Sequence, residues 1–242
     1  MKIGIVSTFS DQGYEDYAKN FVTSLNNNLD KSVEVFLYID DNKRLFKRNH
    51  NINIINLEKA VPDLTQFKNR NKNKPIDSFM NDGVRFSHKS YAIWHAAMHS
   101  GVDILIWLDA DTELVQPLSA EYLQKFLPNG YFTSYLGRDT YSETGFIAFD
   151  LRNPYTKEFF DVFKNYYDSD KIYTLEAYTD CHVFDATRKE LENLKKITGY
   201  NLTPNITKSH FNQTFKGYMI HFKGGRKEKR DETIAKLRKK IK

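Results

Sequence analysis

The chain has 242 residues, is 40% hydrophobic and 14% aromatic, and includes 18 Phe and 15 Tyr, so it can build a sizeable core and is not intrinsically disordered. No apolar run approaches the ~20 residues of a membrane span, and the single cysteine, Cys181, excludes an internal disulfide. The net charge of +5 is uneven: residues 223–242 carry ten Lys/Arg against three Asp/Glu, while the remainder is slightly acidic.

The first residues, Lys2-Ile3-Gly4-Ile5-Val6-Ser7, read as a short buried strand that turns polar too soon for a signal peptide. Residues 15–28 read as a helix with Tyr17, Phe21, Val22 and Leu25 on one stripe. Strands are expected at 33–39 and 52–57. Residues 60–83, with Pro62, Pro75, Gly83 and a basic cluster of Lys68, Arg70, Lys72 and Lys74, read as a long irregular segment. A helix is expected over 84–99, with Phe86, Ser90, Ile93, Trp94 and Ala97 on one face and Arg85 and Lys89 sharing another. Residues 103–109, "DILIWLD", read as a fully buried strand ending in an aspartate. Strands follow at 131–136 and 144–150, helices at 154–167 and 179–195, and a last strand at 218–222. The basic tail begins just after it, and Ile234, Leu237 and Ile241 in it fall at helical spacing. Alternating strands and helices predict an α/β fold: an α/β/α sandwich around a mostly parallel sheet, whose ligands gather at the C-terminal strand ends.

Asp109 and Asp111 stand at one such end. Two carboxylates at i and i+2 repel unless a cation lies between them, and oxygen ligands at that spacing suit Mg²⁺ or Mn²⁺. A surface turn with a helix cap is the plainer alternative. Far downstream, "IHFKGGRK" places His221, Gly224, Gly225 and Lys227 directly after a strand. An imidazole can complete a Mn²⁺ site, glycines let backbone N–H groups approach a phosphate, and a lysine adds a point charge.

Asp109-Ala110-Asp111 followed by His221-x-x-Gly224-x-x-Lys227 resembles the nucleotide-sugar glycosyltransferases of GT-A (Rossmann-like) fold, in particular family 8, the glycogenin-like and lipopolysaccharide galactosyltransferase group. The resemblance implies Asp109, Asp111 and His221 as metal ligands, and Gly224, Gly225 and Lys227 on the diphosphate of a UDP-sugar. Ser7, Thr8 and Phe9 match the position where such enzymes place the nucleotide. Lys89, with Arg85 second, matches a basic residue directed to the donor. "SETGFIAFD" (142–150) is similar to the family's Asn-Ser-Gly-Phe strand, and "TDCHVFD" (179–185) to its Asp-Gln segment, which implies Asp180 near the sugar's reacting carbon with Glu143 as the alternative. The residues themselves leave Asp180 open as a helix cap and Glu143 as a solvated turn residue. This chain departs from the family in having Cys181 for Gln, Glu143 or Thr144 for Asn, and no Pro-Trp after Lys227.

The expected activity is therefore Mn²⁺- or Mg²⁺-dependent transfer of a hexose or pentose from a nucleotide diphosphate to an acceptor hydroxyl. The expected organisation is a catalytic domain over 1–222 and a basic tail over 223–242, in a cytoplasmic protein able to meet a membrane peripherally. The tail suits an anionic membrane and thus a lipid-linked glycan acceptor. With the cluster at 68–74 it also suits DNA with hydroxymethylated bases, and a protein acceptor stays open. A non-catalytic nucleic-acid or membrane-surface module would use the tail alone. A haloacid-dehalogenase phosphatase would need Thr one place later than Thr112, and a pyrophosphorylase would need a Gly-rich loop that residues 7–16 lack.

Overall fold

The computed structural model describes residues 1–39, 51–195, 197–223 and 230–234. A seven-stranded sheet forms from β1 (Ile3–Phe9), β2 (Glu34–Ile39), β3 (Ile52–Asn56), β4 (Ile104–Leu108), β6 (Thr133–Leu136), β7 (Glu143–Asp150) and β8 (Tyr200–Asn201), in the order β3-β2-β1-β4-β7-β6-β8. β3, β2, β1 and β4 pair in parallel, as do β6 and β8; β7 alone runs the other way, between β4 and β6. A two-stranded ladder joins β5 (Thr112–Leu114) to β9 (Met219–His221). The fold is thus the expected mixed α/β sandwich with a mostly parallel sheet.

Successive side chains of each strand feed opposite cores. Ile104, Ile106 and Leu108 of β4 enter one core and Leu105 and Trp107 the other. The first core is closed by α2 (Lys19–Asn28), α6 (Ala120–Gln124) and α9 (His210–Thr214), through Phe21, Val22, Leu25, Leu123 and Phe211. α2 continues a helical segment begun by α1 (Asp11–Gly13) and a wider π turn over Tyr14–Ala18. The second core is closed by α3 (Leu57–Ala60), α4 (Pro62–Asn71), α5 (Gly83–His99), α7 (Pro154–Asp168) and α8 (Asp180–Lys195). Phe159, Phe160 and Phe163 of α7 are sealed there, each contributing about 2–3 kcal/mol by burial.

Two expectations need correction. Residues 60–83 are not irregular throughout: Pro62 opens α4, which buries Leu64 and Phe67, and only 72–82 is loop apart from a 3₁₀ turn at Phe79–Asn81. The buried side of α5 includes Ser87, Lys89, Ser90, Tyr91 and Ile93, so Lys89 lies inside while Arg85 stays exposed. Gly224, Gly225, Lys227 and residues 235–242 of the tail lie outside the described residues. No helix among the described residues is long and apolar enough to cross a membrane.

Candidate metal and donor site

β4 ends at Leu108, and the chain turns at once. Asp109 N–H still donates to the Gly145 carbonyl of β7 (3.0 Å), and Thr112 N–H closes the turn on the Asp109 carbonyl (3.0 Å). That turn directs Asp109 and Asp111 off the C-terminal edge of the sheet. β5 then pairs antiparallel with β9, setting Thr112 opposite His221, and Phe222 N–H donates to the Asp111 carbonyl (2.9 Å). Two segments over a hundred residues apart thereby meet. His221 Nε2 lies 2.8 Å from Asp111 Oδ1 and 3.5 Å from Asp109 Oδ2. Ligand atoms of the three residues all fall within 4.8 Å of one another. Two carboxylates and an imidazole form a donor set that fits Mn²⁺, or Mg²⁺ with water completing the shell.

His221 is 2% exposed. Its ring packs on Phe211 (5.1 Å between centroids) and against Gly145, where a Cβ would come within 2.8 Å of the ring. The Asn212 side-chain oxygen accepts from His221 N–H (2.8 Å) and fixes the backbone. Burial pulls the imidazole pKa down, but the Asp111 carboxylate against Nε2, the Glu143 carboxylate facing Nδ1 and the charge of Asp109 outweigh it and lift it to about 9.

Asp109 is oriented from its other side. Its Oδ1 accepts from Trp107 Nε1 (2.7 Å) and from Lys89 Nζ (2.9 Å). The Lys89 ammonium also contacts Asp180 Oδ2 (2.8 Å) and the Thr144 carbonyl (2.6 Å). Burial opposes its charge, but Asp109, Asp180 and Cys181 outweigh that and raise its pKa. All three N–H donors of Lys89 thus have a partner, and the residue ties the aspartate of the turn to that of α8. Asp180 is buried, also accepts from the Thr144 hydroxyl, and lies inside the first turn of α8. Thr179 precedes it, receiving His182 N–H and contacting His182 Nδ1 (2.8 Å). Cys181 touches Thr144 Oγ1, and burial raises its thiol pKa to about 11.

Glu143 is buried too, among Arg138, Lys223 Nζ (3.7 Å) and His221 Nδ1 (3.5 Å). Burial raises its pKa, but the facing His221 first, then the charges of Lys223 and Arg138, hold it well below the usual carboxylate range. It is no solvated turn residue.

The remaining sequence candidates are more dispersed. Ser7 is fully buried and donates to the Leu108 carbonyl (2.7 Å), beside Asp109; Thr8 donates to the Tyr38 carbonyl (2.6 Å), and Phe9 is buried near Tyr14. Arg85 lies over the Phe79 ring (4.9 Å). Burial raises the Tyr17 phenol pKa, Asp111 and Asp109 add to the rise and Arg85 opposes it, which places Tyr17 in the field of the site. Sequence reasoning missed Trp107, Thr144 and Asn212 as supports, because each acts through a partner distant in sequence or, for Trp107, in the guise of a core residue. In the basic cluster, Lys68 pairs with Glu58, Arg70 with Asp170 (3.3 Å), and Lys74 lies 4.0 Å over Tyr173. From the tail, Arg230 forms an ion pair with the buried Glu113 of β5.

No family model matches the chain, and no curated protein matches it. Among solved structures, 206 chains match. One is the apo form of mouse xyloside xylosyltransferase 1, at 10% identity and a TM-score of 0.49, covering 84% of this chain and 85% of that one.

Proposed function

We propose that the protein is a GT-A-type glycosyltransferase that moves a sugar from a nucleoside diphosphate, UDP first among the candidates, to an acceptor hydroxyl. The observation that carries the reading is the convergence of Asp109, Asp111 and His221 at the C-terminal edge of β4. Carboxylates placed there, beside an imidazole, suit a divalent cation and its diphosphate rather than a protein partner. When bound, the cation would supply electrostatic stabilisation of the leaving diphosphate.

The chain's own groups divide the rest of the work. Lys89 and Trp107 hold Asp109 so that Oδ2 turns towards His221. Asp180, fixed by Lys89 and Thr144, is the carboxylate assigned to the reacting carbon, where it would offset positive charge as the glycosidic bond breaks. Gly224, Gly225 and Lys227, with Arg85 towards the donor, are assigned to the diphosphate side on the strength of the sequence motif. A panel of UDP-, GDP-, CDP- and ADP-sugars, assayed for release of the nucleoside diphosphate, tests the proposal. One donor should be turned over only with Mn²⁺ or Mg²⁺, and Asp180→Asn should slow it by about 100-fold. Turnover unaffected by chelator would contradict it.

A further inference from the structure

Glu143 occupies a place that donor chemistry does not require. It stands on the Nδ1 side of His221, whereas Asp109 and Asp111 stand on the Nε2 side. The two ring nitrogens point in divergent directions, so Glu143 cannot join the cation that Nε2 would bind. His221 Nδ1 is buried and, among the described residues, has no hydrogen-bond partner within normal range; Glu143 Oε1, at 3.5 Å, faces it. Phe211 and Gly145 restrict the ring, while Arg138 and Lys223 restrain the Glu143 carboxylate. A buried N–H without an acceptor is costly, and a ligating histidine gains basicity and a fixed tautomer when its second nitrogen donates to a carboxylate.

We infer that Glu143 is a positioning residue: its carboxylate accepts the Nδ1–H of His221 and thereby presents Nε2 to the cation, rather than touching the reacting sugar. The inference rests on the metal reading of Asp109, Asp111 and His221. Glu143 enters through the start of β7, which is itself pinned: Asp185 accepts from both Ser142 N–H (2.8 Å) and Ser142 Oγ–H (2.7 Å).

The test measures Mn²⁺ affinity by electron paramagnetic resonance of the free ion, for wild type, Glu143→Gln and Glu143→Leu, with circular dichroism as the check of folding. The expected result is a loss of about 10- to 100-fold in Mn²⁺ affinity for Glu143→Leu. Glu143→Gln, which keeps an oxygen acceptor, should lose less and should retain turnover at saturating Mn²⁺. Nitrogen-15 spectra of the Mg²⁺-loaded wild type give an arm independent of any variant: His221 should carry its proton on Nδ1. A bare Nδ1 would overturn the inference. So would wild-type affinity in Glu143→Leu, or a Glu143→Gln enzyme with normal affinity and turnover reduced 100-fold, which would return Glu143 to the reacting atoms. Absence of Mn²⁺ binding by wild type would instead overturn the metal reading itself, and this inference with it.

Discussion

The carboxylates around His221 favour its protonated imidazole, and a metal on Nε2 would compete with that proton. The His221 pKa rises from 6.5 to about 9 in the folded protein. A group raised on folding contributes stability that is complete below its unfolded pKa and is lost as pH climbs through its folded pKa. Without metal, this contribution should therefore be full below about pH 6.5 and fade towards pH 9. Metal binding shows the opposite trend, because the ion competes with the proton on Nε2. Mn²⁺ affinity should rise about tenfold per pH unit across that window, with close to one proton released per ion near neutrality. Calorimetry in two buffers of different ionisation enthalpy measures that proton. An affinity independent of pH from 6.5 to 8.5 would mean that His221 does not bind the ion. Asp109 and Lys89 show the same economy of placement: one carboxylate oxygen is tethered inward, the other points outward.

At the scale of elements, the site depends on β7 and β9 approaching closely. Gly145 of β7 gives its carbonyl to Asp109 and its empty side to the His221 ring. A methyl in Gly145→Ala would stand 2.8 Å from His221 Cε1 and 2.9 Å from Nδ1, with Phe211 limiting the ring's retreat. Overpacking of this kind costs about 1–3 kcal/mol. The variant should bind Mn²⁺ at least tenfold more weakly while its melting temperature falls only modestly; unchanged affinity would show that the ring moves freely. Elements with long apolar runs were legible in the sequence: β4 and β7 bury nearly every residue, and α7 carries its phenylalanines at helical spacing. α4 was not, because its burial rests on Leu64 and Phe67 amid lysine and asparagine. β5 was illegible for another reason. Its three residues are a strand only because β9, over a hundred positions on, lies beside them. Asp109, Asp111 and His221 could be singled out by residue type and strand ends, but the partners of Glu143 and Lys89 exist only after the chain has folded.

At the scale of the whole molecule, the chemistry gathers at one edge of the seven-stranded sheet, where the β5–β9 ladder meets it. β4 delivers the aspartates, α5 the lysine, β7 the glutamate, α8 the second buried aspartate and β9 the histidine. Arg230 is held by Glu113 of β5, the strand that pairs with β9. The proposed function requires this edge to bind a divalent cation together with a nucleoside diphosphate. The most direct measurement is a thermal-shift titration of wild type and Asp111→Asn with UDP, GDP, CDP and ADP, each with and without Mn²⁺. A ligand that binds only the folded state at 100 times its Kd adds about 2.7 kcal/mol. One nucleotide should raise the melting temperature only when Mn²⁺ is present, and Asp111→Asn should abolish the rise; no Mn²⁺-dependent shift with any of the four would contradict the proposed function.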